Sequence, residues 1–262
     1  MDAAAKRRYV LAEMTWPELN QAVEEIELVV IPVGSTEQHG PNSTFATDTL
    51  RASEFSLKLA ERLYPRVLVA PVMPFGISLH HMNFPGTITL SAETFNQVLF
   101  EVVDSLAEHG FERFLFVNGH GGNRPALELL SARIRKQLDL AVAWVSFSAL
   151  ASDVITQGKT AEVIGHACES ETSQLLYLAP WAVRREALAA GELLGQEYPH
   201  TRRHGAVHVP YTFDELTANG ALGDARASSV EFGERIVTTA LDRLCEFIEE
   251  FIEVDDTADE FS

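Results

Sequence analysis

The stretch "ELVVIPVGSTEQHGPNSTFATD", Glu27 to Asp48, passes within a few residues from an apolar run to a loop carrying Glu37, His39 and Asp48. The apolar run shows no in–out alternation. That is the pattern of a strand buried on both faces in a parallel sheet covered by helices. The acidic and imidazole side chains follow its carboxyl end, where open parallel sheets bind their ligands. The next segment, "DTLRASEFSLKLAERLY", has helical periodicity, with Asp48 or Thr49 as its candidate N-cap.

The same alternation continues outward. Strands are expected at "RVLVAPVMPFG", "RFLFVNG" and "AVAWVSFSAL". Helices are expected at "TWPELNQAVEEI", at "SAETFNQVLFEVVDSLAEHG" from a Ser91 cap to Gly110, and at "RPALELLSARIRKQL". Strands separated by helices of this length predict an α/β fold with a mainly parallel sheet. The stretch from Gly191 to Asp224 reads as irregular. A long amphipathic helix follows, with Val237, Leu241, Leu244, Ile248 and Phe251 as an apolar stripe for core or subunit contact. One domain is expected over residues 1–254, with residues 255–262 an acidic, disordered tail.

The 262 residues are 46% hydrophobic, which suits a globular domain. No apolar run approaches the roughly 20 residues needed to span a bilayer, and the N-terminus has no signal-peptide core. A cytoplasmic location is the expectation. The formal net charge is −18, and only Lys6, Lys58, Lys136 and Lys159 are lysine. Such a surface opposes binding to nucleic acid or anionic membranes and suits a salt-loving host. The two cysteines, Cys168 and Cys245, form neither a disulfide framework nor a C-x-x-C motif.

Four segments could carry chemistry. Glu37, His39 and Asp48 are hard-to-borderline ligands suited to Zn, Mn or Fe, against a plainer reading as a polar loop with a helix cap. "VNGHGGNRP" leaves a second strand with His120 among glycines that permit close backbone approach. "GHACESETS" holds His166, Glu169 and Glu171. On a helix His166 and Glu169 would share a face, with Glu171 turned elsewhere. "SLHHMNFPGTITL" places His80 and His81 before a turn. Cys168 beside this set raises a thiol-nucleophile alternative, but no Cys–His arrangement supports it, so it reads as a small packing residue.

Taken in order, "GSTEQHGP…TDTL", "HHMNFPGTITLSAET", "NGHGGN" and "HACESETS" resemble the signature segments of the creatininase family of metal-dependent amidohydrolases. The late segment "FDELTANGALGDARASSVEFGE" resembles that family's closing motif. The resemblance runs from about Val29 to Ile236. It implies a three-layer α/β/α sandwich and two divalent metal ions (Zn, Fe or Mn) per subunit. Glu37 and His120 would hold one ion, His39 the other, with Asp48 bridging and Glu169 as a fifth ligand. His166 would be the catalytic histidine, supported by Glu171. Ser78, His81, Gly121 and Gly122 would lie at the substrate.

The resemblance further implies a homo-oligomer and a small amide substrate. The "NGHGGN…HAxE" pattern looks closer to the archaeal formamide hydrolase branch than to creatininase proper. A creatinine amidohydrolase, a peptidase of modified precursor peptides and an inactive metal-binding member are the alternatives. Arg124, Arg202 and Arg203 are candidate phosphate contacts. The chain departs from the family pattern at Asn42, where a histidine is usual, and in "STFA" after it. That segment is the expected seat of substrate preference.

Overall fold

The computed structural model describes residues 7–194 and 210–253. Arg202, Arg203 and the acidic tail lie outside the described residues. Helix α1, Trp16–Ala22, is fixed by a capping box between Thr15 and Glu18, with Pro17 in its first turn. Strand β1 spans Leu28–Val33. Helix α2, Thr47–Leu63, leads to strand β2, Val67–Val69. Helix α3, Ala92–Ala107, is capped by Ser91, whose hydroxyl accepts the Thr94 N–H. Strand β3, Arg113–Asn118, helix α4, Arg124–Leu138, and strand β4, Ala141–Ser146, follow. Helices α5, Ser152–Gly158, α6, Glu169–Leu178, α7, Phe213–Leu216, and α8, Val230–Glu253, complete the frame.

The sheet is parallel, in the order β2-β1-β3-β4. All six residues of β1 are buried. Leu28 and Val30 pack with Phe55 and Leu59 of α2 and with Ile236 and Leu241 of α8. Val29, Ile31 and Val33 face Phe95 and Leu99 of α3 and Leu127 and Leu130 of α4. Both faces are thus covered, which gives the expected three-layer α/β/α sandwich. Each such buried aliphatic side chain contributes about 1.5–3 kcal/mol of transfer free energy. The stripe on α8 belongs to this core: Val237, Leu241, Leu244 and Ile248 are buried within the chain.

Two local expectations are corrected. The strand predicted through Gly76 stops at Val69. Pro71 and Pro74 lack the N–H that a ladder needs, and only an isolated bridge between Val33 and Met73 continues the pairing. Asp48 is not the N-cap of α2, because the helix begins at Thr47 after Ala46. Its carboxylate is therefore free of capping duty. Among the described residues no helix is long and apolar enough to cross a membrane.

The topology fixes where a site forms. From β1 the chain moves to β2 on one side, then returns past β1 to β3 on the other. The loops leaving β1 and β3 diverge at this switch point and open a crevice.

Candidate metal centre

The loop after β1 carries Glu37 and His39, the first turn of α2 carries Asp48, and the loop after β3 carries His120. The meeting depends on Gly119. A Cβ there would lie 2.2 Å from the Asp48 carbonyl oxygen, so only glycine lets the exit of β3 press onto α2. Glu37, His39, Asp48 and His120 are all buried.

Asp48 turns its two oxygens to different histidines: Oδ2 lies 3.1 Å from His120 Nδ1, and Oδ1 lies 3.4 Å from His39 Nε2. Glu37 Oε1 lies 3.2 Å from His120 Nδ1, while its Oε2 accepts the Ser78 hydroxyl at 2.6 Å. The second nitrogen of each histidine faces backbone: His120 Nε2 is 3.0 Å from Ile77 O, and His39 Nδ1 is 3.2 Å from Glu37 O. Donation to those carbonyls leaves His120 Nδ1 and His39 Nε2 on the carboxylate side, where each holds a proton in the metal-free chain and would offer a lone pair once a cation displaced it. That is how metal-binding imidazoles are normally oriented.

Glu37 Oε1, Asp48 Oδ2 and His39 Nε2 are buried without a hydrogen-bond partner. Orphaned polar atoms are costly unless something satisfies them. Here they converge: the ligand atoms of Glu37, His39 and Asp48 lie within 4.8 Å of one another, as do those of His39, His166 and Glu171. This donor set fits divalent cations, and Asp48 is disposed to serve two of them.

The arm carrying His166 corrects the expected arrangement. Helix α6 begins at Glu169, with Cys168 as its extended N-cap, and Ala167 turns the chain at a left-handed φ of +52°. His166 lies outside the helix, so the predicted shared face with Glu169 does not exist. The Glu169 carboxylate instead accepts the backbone N–H groups of Thr160 and Ala161, at 2.8 and 3.1 Å. Glu171 is the one that reaches the cluster. Its Oε2 is 3.7 Å from His39 Nε2 and accepts the Ala167 N–H at 2.6 Å.

The strained Ala167 is clamped from both sides, since Asn42 Nδ2 also donates to its carbonyl at 2.9 Å. Asn42 Oδ1 accepts the Ala189 N–H. Fully buried, Asn42 braces the arm of His166 and is not a surface for substrate selection.

His166 Nε2 lies 2.6 Å from the Gln38 carbonyl, which leaves Nδ1 directed toward Glu37 Oε1 at 3.7 Å. His81 Nδ1 accepts from Gln38 Nε2 at 2.8 Å, and its Nε2 is 3.4 Å from Glu37 Oε1. Phe213 packs on His81 and His166, with ring centroids 4.0 and 4.8 Å away. Gly122 is a packing position, because a Cβ there would lie 2.3 Å from Ile77 O and 2.4 Å from His120 Nε2. Gly121 lines a neighbouring cavity. Cys168 is buried, with Sγ 3.7 Å from Gly165 O and 3.4 Å from Ser170 Oγ, as expected of a packing residue.

Three residues of this centre escaped the sequence reading. Gln38 donates from Nε2 to His81 Nδ1 and to the Gly220 carbonyl, with His166 Nε2 3.3 Å away. Arg51 donates to Gly119 O at 3.1 Å, to Glu171 at 2.7 Å and to Gln174 at 2.9 Å. Its spacing, one turn after Asp48, was the available signal. Phe213 arrives from a distant segment and offered none.

The electrostatics match a site built for cations. Burial opposes charge on His39, yet the carboxylates of Asp48, Glu171 and Glu37 raise its pKa to about 9. Burial is likewise outweighed at His120, where Glu37 and Asp48 hold the pKa well above the usual imidazole value. Burial raises Glu37. At Asp48 it is overcome by His39 and His120, which keep the carboxyl well below its usual range. Burial, then the neighbouring charges of His39 and His81, push His166 well down, so it is neutral. Burial and the neighbouring His120 imidazolium lower His80 to about 4. Protons on His39 and His120 thus neutralise carboxylates that cations would otherwise neutralise.

This fold and cluster define a class, and the comparisons agree. The creatinine amidohydrolase family profile matches residues 12–248. A putative creatinine amidohydrolase from Bacteroides fragilis superposes with a TM-score of 0.85 at 25% identity, covering 95% of this chain and 98% of that one. A mutant creatininase of zinc–zinc type gives 0.78 at 25% identity, over 94% and 98%. The chain belongs to the creatininase family. The mycofactocin precursor peptide peptidase of Mycobacterium ulcerans is 32% identical over 92% of this chain and 93% of its own length. The creatinine amidohydrolase of Pseudomonas putida is 26% identical over 92% and 96%.

Proposed function

We propose that this chain is a dinuclear metal-dependent hydrolase that opens a C–N amide bond in a peptide-like substrate. The carrying observation is that buried Asp48 turns one oxygen to His120 and the other to His39, while Glu37 Oε1, Asp48 Oδ2 and His39 Nε2 have no hydrogen-bond partner. Glu37, Asp48 and His120 would hold one divalent ion, and His39, Asp48 and Glu171 the other. Zinc, iron and manganese all suit these donors. When bound, such ions polarise a carbonyl and acidify water.

His166 moves the proton. Its Nε2–H is held by the Gln38 carbonyl, so Nδ1 takes a proton on the cluster side and returns it to the leaving nitrogen. Gln38 fixes that tautomer, and Phe213 covers the imidazole from solvent. His81 and Ser78 orient Glu37.

The 32% identity to a mycofactocin precursor peptide peptidase favours a peptide-like amide over the formamide expected from the "HAxE" pattern. The adjoining cavity, about 430 Å³, suits an amide flanked by further groups better than a bare creatinine ring. The proposal includes action in the cytoplasm, without nucleic acid. The test is the chain loaded with zinc or manganese and offered short peptides, creatinine and a formylamino-pyrimidine. Release of a new amine from the peptide supports the reading, while formate or creatine as the main product replaces it. Metal-loaded protein that hydrolyses none would overturn it.

A further inference from the structure

The cavity beside the cluster has a charge at odds with the rest of the protein. His120, Glu171 and Arg51 form the part that touches the metal centre. Arg124, the first residue of α4, and Lys159, the residue after α5, line it as well. Glu171 is its one acidic lining residue, and that carboxylate is already engaged by Arg51 and the Ala167 N–H. In a chain of net charge −18 with four lysines, two further cations here stand out.

Neither is paired with a carboxylate among the described residues. The Arg124 side chain makes no ion pair or hydrogen bond among the described residues; only its backbone N–H is used, toward the Gly121 carbonyl. Lys159 Nζ donates to the Glu162 carbonyl at 2.8 Å and forms no ion pair among them. Arg7, Arg51, Arg62, Arg66, Arg226 and Arg243, by contrast, all hold carboxylates. The hydroxyls of Ser146 and Ser148 line the same cavity and can donate to an oxyanion.

We infer that Arg124 and Lys159 form an anion subsite, which holds a carboxylate or phosphate group carried by the substrate at a distance from the scissile amide. The inference rests on the amidohydrolase reading and adds a substrate requirement to it. A guanidinium and an ammonium in one cleft suit a compact oxyanion, the guanidinium through paired N–H donors and the ammonium as a point charge. For a peptide, the anion is a free terminal or side-chain carboxylate. For a nucleotide-like substrate, it is a phosphate. In either case the subsite selects acidic amides, which the acidic surface would otherwise repel.

The experiment compares three matched amide substrates on the metal-loaded chain: one with a free carboxylate, its carboxamide, and a phosphate ester of the same skeleton. The free acid or the phosphate ester should exceed the carboxamide in kcat/KM by about 10- to 100-fold, through KM. Whichever is better identifies the source of the anion. Arg124→Gln combined with Lys159→Gln should erase that preference while changing kcat on the carboxamide less than about threefold. Arg124→Lys should restore part of it. Equal turnover of all three substrates by the native chain, or a preference that survives the double substitution, would overturn the subsite. Calorimetric binding of glycylglycine and its amide separates this result from failure of the hydrolase reading. With no turnover of any substrate, at least tenfold weaker binding of the acid to the double variant still supports the subsite, and unchanged binding refutes it.

Discussion

Arg51 donates from Nη1 to Glu171 Oε1 at 2.7 Å, tying the first turns of α2 to the start of α6 beside the cluster. The same guanidinium reaches the Gly119 carbonyl, one residue before His120. One buried cation therefore links both halves of the proposed two-metal site. Arg51→Met should leave Glu171 without its partner and cost about 3–5 kcal/mol of stability. Metal affinity on the His39 side should fall about 10- to 100-fold, as for other residues that orient ligands. Competition with a chelator measures it. Arg51→Lys should not restore it, because one ammonium cannot meet Gly119, Glu171 and Gln174 together.

The two glutamates of α6 should separate cleanly. Glu171→Gln should lower the content of the second metal. Glu169→Gln should keep two metals per chain and lose about 1–3 kcal/mol, since its carboxylate holds the Thr160 and Ala161 N–H groups. Elemental analysis beside thermal unfolding distinguishes the pair. Metal loss in the Glu169 variant alone would restore the ligand set expected from sequence.

Asp48→Asn should empty both sites at once, because one carboxylate faces both His39 and His120. Bound metal is expected below one equivalent. Retention of two equivalents would rule out a shared bridge.

His166→Ala should leave metal content unchanged and reduce kcat by about 10²- to 10⁴-fold. A Gln38→Leu change removes the side-chain contacts to His166 and His81 but keeps the backbone acceptor, so its loss should be smaller. Near-normal turnover without His166 would remove that residue from proton transfer.

Protons and metals compete for this cluster, and the sign can be worked out. The His39 pKa in the folded, metal-free chain is raised from 6.5 to about 9. Its contribution to stability is therefore fully present below about 6.5 and is lost as pH rises through 9. Metal binding must expel that proton, so affinity should climb across the same interval. Paired melts with EDTA and with zinc should show a stabilisation by metal that widens from pH 6.5 to 9. Proton release measured at pH 7.5 should exceed that at pH 9.5.

Much of the architecture was legible along the chain. The unbroken apolar runs "LVVI" and "FLFV" appear as β1 and β3, and the loops that leave them hold Glu37, His39 and His120 as expected. That works because burial on both faces writes itself into consecutive residues, and strand exits are local. The stripe on α8 was equally plain, although only packing shows that it turns inward to the chain's own core. The expected shared face of His166 and Glu169 fails for a different reason. Helical periodicity presumes a helix, and Ala167 breaks it two residues before the glutamate, under clamps from Asn42 and Glu171 that lie far apart in sequence.

The sequence by itself determined the alternation of elements, the layers and the short list of acids and imidazoles able to bind metal. These are consequences of hydrophobic periodicity and of side-chain chemistry, both of which act over neighbouring residues. The tertiary structure alone decided which of those side chains converge: Glu171 in place of Glu169, Arg51 and Gln38 as their braces, and Arg124 with Lys159 at one cavity. Convergence depends on crossover connections and on one close approach, Gly119 against Asp48, that no local pattern encodes.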